Sequence, residues 1–302
     1  MPSCSRLGSR LGLGCALAVG LPTLLTAQST EVGAILANGY RFAYREQGHG
    51  PAVVFVHGTL ADYRSWSGTI AVLTDSTHAI AYSRRYAWPN PWRPDDPPYG
   101  VAAEASDLLA LIRALRLERP ILVGQDAGAT ISLLAALREP QAIRGLVLVE
   151  PPLDSLVQDP VLRQQWARQH REAWAAARQS ASPERPIPAA RALVERRDGD
   201  GAWDRAAPAD RQGMEENAQT IYLTDPSEPV MSCTTLARIP VPVALVQGAV
   251  TPARFQRILD GLGGCLPGAS RDTIPEAGHA APLTHPSAFA DHLATRWRDL
   301  PR

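Results

Sequence analysis

Short apolar runs alternate with longer stretches of mixed polarity along most of this chain. Val53–Val56, Ala79–Tyr82, Ile121–Val123, Leu146–Val149 and Val241–Val246 are such runs, each closed within two residues by a Gly, Ser or acidic residue. Runs this short and this uniformly apolar predict strands buried on both faces. Between them, Val101–Leu115, Ala129–Leu137 and Ala253–Leu262 repeat their apolar positions at three- and four-residue spacing, which predicts helices. Buried strands with helices between them make a mostly parallel sheet with helices on both faces, an α/β fold. Upstream, Glu31–Asn38 and Tyr40–Glu46 predict an antiparallel pair turning at Asn38-Gly39.

From Glu150 to about Pro229 the alternation stops. The stretch holds Pro151, Pro152, Pro160, Pro183, Pro186, Pro188 and Pro208, with polar helices such as Leu162–Gln179 and the aromatics Trp166, Trp174, Trp203 and Tyr222. An insertion at the carboxyl ends of parallel strands sits where a ligand crevice opens, so residues 152–226 are expected to form a helical lid (cap), whose aromatics cover that crevice. The core is then residues 28–151 and 227–302.

The first 27 residues read differently again. Arg6 and Arg10 precede a 17-residue apolar stretch, Leu11–Ala27, which Pro22 interrupts. A basic start, an apolar centre and a small residue at the end describe a secretory signal peptide, 1–27. A membrane span needs about 20 apolar residues, so no stable membrane anchor is expected after cleavage. The expectation is export, to the periplasm or as a secreted protein, with 275 residues remaining. Cys4 and Cys15 leave with the signal, and Cys233 and Cys265 face an oxidising compartment as a candidate disulfide, two buried free thiols being the other reading.

Charge narrows the partners. Among 302 residues, 30 Lys plus Arg balance 30 Asp plus Glu, so the basic excess that nucleic acid or an anionic membrane requires is missing. The expected partner is a small-molecule substrate, uncharged and apolar, and no cofactor or metal is called for.

The candidate chemistry lies in Gly124-Gln125-Asp126-Ala127-Gly128, between the run Ile121–Val123 and an Ala/Leu-rich helix. Glycines two positions either side of a central residue permit a sharp strand-to-helix turn that lifts the central side chain above the sheet. With His57-Gly58 after the third strand and Gly278-His279 after the last, this pattern resembles the α/β-hydrolase superfamily over nearly the whole mature chain. The resemblance implies an α/β-hydrolase fold with its lid inserted after the sixth strand.

The usual serine of that elbow is replaced by Asp126. A carboxylate is already ionised and needs no base to attack; on an acyl group it gives only a labile anhydride, but on a tetrahedral carbon with a leaving group it gives an alkyl ester that water can hydrolyse. This substitution resembles epoxide hydrolases and haloalkane and haloacid dehalogenases. The resemblance implies that Asp126 is the nucleophile and that His279 activates water for the second step. Helix capping, or an inactive elbow, is the plainer reading of Asp126. The acid that orients His279 is missing after the seventh strand, where Gln247-Gly248-Ala249-Val250-Thr251-Pro252 has no carboxylate. Glu150, at the end of the sixth strand, is the expected substitute. Backbone N–H groups of Thr59 and Ala127 are the expected oxyanion donors. Arg84 and Arg85 read as loop-bracing ion pairs, His57 as structural, and Trp66 as a core anchor.

Tyr222 is the candidate lid acid for opening an epoxide. Two features weigh against halide chemistry: position 127 is Ala where dehalogenases place a Trp, and position 59 is Thr where many have Asn. The expectation is therefore an epoxide hydrolase-like enzyme, with two alternatives: a dehalogenase with an atypical halide site, or a non-catalytic small-ligand binding protein on a hydrolase scaffold.

Overall fold

A computed structural model describes residues 32–73, 76–227 and 229–298. The expected signal segment 1–27, with Cys4 and Cys15, lies outside them. The hairpin forms as expected: β1 (Gly33–Ala37) pairs antiparallel with β2 (Tyr40–Gln47), Ala37 opposite Tyr40. Asn38 and Gly39 both take positive φ, 45° and 71°, as the tight turn between twisted strands requires.

The remaining strands are β3 (Ala52–Val56), β4 (His78–Tyr82), β5 (Ile121–Gln125), β6 (Gly145–Val149), β7 (Val243–Gly248) and β8 (Ser270–Ile274). They order as β1-β2-β4-β3-β5-β6-β7-β8, antiparallel at the β1-β2-β4 edge and parallel from β4 onward. β7 begins at Val243 rather than Val241, since Pro242 has no N–H for the ladder and contributes only its carbonyl, to Leu146 N.

Alternate residues of each central strand enter different cores. Val54, Val56, Leu122, Leu146, Leu148 and Leu245 pack on α2 (Val101–Ala114), α3 (Ala127–Arg138) and α10 (Ala253–Cys265); Val53, Phe55, Val123, Val147, Val149 and Val246 pack on α1 (Ser67–Leu73) and α11 (Pro286–Arg298). Both faces are covered, which is why these strands read as unbroken apolar runs. Trp66 is fully buried against Phe55 and Phe289, as expected of an anchor.

Register decides what gathers at the carboxyl edge. Val56 lies opposite Gly124, Gln125 opposite Val149, and Val149 opposite Val246, so the residues following β3, β5, β6 and β7 emerge side by side.

Between β6 and β7 the chain leaves the sheet for α4 (Pro160–Gln179), α5 (Ile187–Asp198), α6 (Ala202–Arg205), α7 (Pro208–Glu216), α8 (Thr220–Leu223) and α9 (Cys233–Leu236). Asp159 caps α4 by accepting from the Val161 and Leu162 N–H groups, with Pro160 at its first position. This insertion has its own small core of Trp174, Leu193, Val194, Trp203 and Ile221, closed by Leu60 from the β3 side. Asn217 ties it to the body, donating to Asp62 Oδ2 (2.8 Å) and accepting from Trp88 N (2.8 Å). Cys233 and Cys265 form a disulfide that joins α9 to the end of α10. Among the described residues no helix is long and apolar enough to cross a membrane.

Candidate active site

The turn after β5 works as the glycine spacing predicts. Asp126 sits at φ 51° and ψ −124°, a conformation that holds its side chain clear of the sheet end. A Cβ at Gly124 would collide with the backbone of Gly128 and Ala129, and one at Gly128 with the Val56 carbonyl, so neither position accepts a side chain.

Asp126 is buried, and each of its oxygens has a distinct neighbour. Oδ2 accepts from the Thr59 N–H at 2.9 Å, while Oδ1 lies 3.9 Å from His279 Nε2. Burial pushes this carboxyl up, but His279 once it is protonated, the charge of Arg197 and the Thr59 N–H outweigh it and hold the group at about 2. Asp126 is therefore a carboxylate at any ordinary pH.

His279 sits between two carboxylates. Its Nδ1 donates to Glu150 Oε2 at 2.7 Å, since an ionised carboxylate can only accept, and this leaves Nε2 with its lone pair facing Asp126 and no hydrogen-bond partner. The ring stacks on Phe255 at 4.1 Å between centroids, and the His279 carbonyl accepts from Gln125 Nε2. Glu150 is fully buried at φ 46°. Its Oε1 accepts from Gly248 N (2.8 Å) and its Oε2 from Thr251 Oγ1 (2.6 Å). The position after β7 that lacks a carboxylate thus supplies donors that hold one reaching across from β6.

The Thr59 loop is braced from behind. Arg84 Nη1 donates to both Glu104 oxygens (2.9 and 3.1 Å), its Nη2 to the Gly58 carbonyl, and its backbone N–H to His57 Nε2. Burial, with the Arg84 charge beside it, holds His57 well below the usual histidine range, so it stays neutral and structural. Arg85 pairs with Asp107 through both of its carboxylate oxygens, as a loop brace should. Ala127 is the first residue of α3, so its N–H has no acceptor within the helix.

Two cavities, of about 280 and 550 Å³, open on this site and share Thr59, Asp126 and Arg197. The first is walled by Trp166, His170 and Trp174 of α4 together with Glu104, Thr130 and Phe255 of the body. The second runs past His279 and Leu283 toward Ala202 and Met214. Burial, and then the charge of Arg254, lower His170 to about 4.

Tyr222, the expected lid acid, is not there. Its hydroxyl donates to the Arg178 carbonyl at 3.4 Å, its ring joins the apolar cluster of the insertion, and it lines neither cavity. In the four-residue α8, Ile221 and Leu223 are buried and Tyr222 is directed back along α4. Thr251, His170 and Arg197 carried no signal by which sequence could single them out: Thr251 lies in a proline-flanked loop, and Arg197 in a last helical turn where arginine is ordinary.

Residues 53–292 match the model of the alpha/beta hydrolase family, and the chain belongs to that family. It is 31% identical over 132 residues (41% of this chain, 46% of the relative) to 2-hydroxy-6-oxo-2,4-heptadienoate hydrolase of Pseudomonas putida. It is 32% identical over 119 residues (39% of this chain, 36% of the relative) to an epoxide hydrolase of Caballeronia sordidicola. The chain thus spans under half the length of these curated relatives. In fold it is similar to carboxylesterase CesB of Bacillus subtilis, with a TM-score of 0.69 at 18% identity over 88% of this chain and 91% of that one.

Proposed function

We propose that the protein hydrolyses a small molecule through an alkyl ester on Asp126. Oδ1, the oxygen not held by Thr59, attacks a tetrahedral carbon from the side opposite the leaving group, which departs with the bonding pair. His279 Nε2 then takes a proton from water, and the hydroxide adds to the Asp126 carboxyl carbon. The N–H groups of Thr59 and Ala127 hold the resulting oxyanion, while Glu150 holds the imidazolium. Collapse expels the product as an alkoxide, which takes the proton from His279 and leaves as the alcohol; Asp126 emerges as a carboxylic acid and loses its remaining proton to solvent, which restores the carboxylate. The helical insertion acts as the lid. The signal segment exports the enzyme to a compartment where the Cys233–Cys265 disulfide persists.

The observation that carries this reading is the Asp126 carboxylate, ionised and held on one oxygen, with the unpartnered Nε2 of His279 3.9 Å from the other. An epoxide is the first substrate class, in keeping with the epoxide hydrolase relative. The place of Tyr222 outside both cavities favours a second, an alkyl halide, whose leaving group needs no proton. A His279→Gln variant incubated with styrene oxide or 1-bromobutane is expected to gain one adduct mass on the Asp126 peptide. If no epoxide or alkyl halide, neutral or carboxylate-bearing, leaves an Asp126 ester, the covalent mechanism is wrong, and a binding protein on the same scaffold takes its place.

A further inference from the structure

The two cavities meet at three residues, and one of them, Arg197, has no part in the chemistry above. It lies on α5 of the insertion and faces the body, where its charge acts on both Asp126 and Glu150. Asp198 occupies one edge of its guanidinium, with Nε to Oδ1 at 2.9 Å and Nη2 to Oδ2 at 2.7 Å. Nη1 donates to no group among the described residues. The side chain keeps 27% of its surface exposed, and it borders both cavities. A largely covered guanidinium with a free donor, on a cavity wall it shares with a reacting carboxylate, has no acceptor for that donor among the described residues, and a neutral apolar substrate would leave it unsatisfied. Arg254, on the wall of the first cavity, is instead taken up by both oxygens of Asp154.

We propose that Arg197 is an anion-binding residue and that the substrate carries a carboxylate next to the carbon that Asp126 attacks. This extends the reading of Asp126 as a nucleophile and replaces the uncharged substrate expected from the chain's neutral balance. An anion approaching the Asp126 carboxylate is repelled unless a fixed cation stands where the two meet, and Arg197 stands there. A planar carboxylate suits the guanidinium fork better than a spherical ion does.

Binding is tested apart from chemistry with isobutyrate and its neutral isostere isobutyramide, followed by the fluorescence of Trp166 and Trp174. The wild-type protein is expected to bind the acid more tightly than the amide. Arg197→Gln is expected to weaken the acid by ~10-fold or more, the loss of a charge-assisted hydrogen bond, and to leave the amide unchanged. Asp198→Asn keeps one acceptor, frees the other guanidinium donor and removes the paired charge, and is expected to tighten the acid, which keeps the test open if Arg197→Gln does not fold. In turnover, the ratio of 2-bromopropionate to 2-bromopropionamide, and of glycidate to glycidamide, is expected to fall by the same factor in Arg197→Gln. No preference for the acid, or equal loss of acid and amide in Arg197→Gln, overturns the proposal. Arg197-dependent binding of isobutyrate without any Asp126 ester leaves the anion site standing and removes only the covalent mechanism.

Discussion

Replacing Glu150 with Gln keeps the shape of the triad and removes one charge, so it separates the two chemical steps. The Glu150 carboxylate lies 2.7 Å from His279 Nδ1. The imidazole becomes a cation only when it takes a proton from water, during ester hydrolysis. With charge centres about 4 Å apart and an effective dielectric of about 20, that contact stabilises the imidazolium by about 4 kcal/mol, roughly a thousandfold in rate. Ester formation needs no cation at His279, because Asp126 is ionised already. The amide also leaves Gly248 N–H, Thr251 O–H and His279 Nδ1–H to share one acceptor, which costs about 1–3 kcal/mol of stability. Rapid quench with intact-mass detection is expected to show one equivalent of leaving group released at near wild-type rate. Turnover then slows about a thousandfold while the ester accumulates. A burst that slows in step with turnover, or turnover that stays unchanged, refutes Glu150 as the acid behind His279.

Other outcomes follow from the same geometry. Tyr222→Phe loses only a 3.4 Å bond to a carbonyl outside the cavities, so steady-state kcat and KM are expected to stay within about twofold. Reducing the disulfide, or Cys233→Ser with Cys265→Ser, releases a 32-residue loop; the chain-entropy cost is about 3–4 kcal/mol, read as a fall in Tm of roughly 6–12 °C by calorimetry. His170 is held at about 4, below its ordinary 6.5, so between these values the unfolded chain binds a proton that the folded chain refuses. Stability therefore falls as pH drops through that window, and denaturant melts at pH 7 and pH 4 are expected to differ by about 2–3 kcal/mol less in His170→Gln than in wild type.

Much of the candidate site is legible in the sequence because its parts are local. Glycines at 124 and 128 state their own steric reason, and Asp126, Glu150 and His279 each follow a strand whose apolar run can be counted. A parallel sheet then brings strand ends together whatever the helices do, and Thr59 arrives with its loop for the same reason. The insertion obeyed no such rule. Its helices are polar on average, so periodicity alone does not say whether their few apolar residues face the sheet, a cavity or the insertion's own core. Packing turned Trp166, His170 and Trp174 toward the first cavity and Tyr222 away from it.

By itself, then, the sequence determined the sheet, the elbow and the residues at strand ends, since backbone sterics and burial act over a few neighbouring positions. Tertiary structure alone decided that Thr251 would hold Glu150 from the place a carboxylate is expected, and that Arg197, about 70 residues along the chain from Asp126, would share its cavity edge. Those contacts depend on how an inserted layer of helices settles on the sheet, through long-range packing that no local pattern encodes.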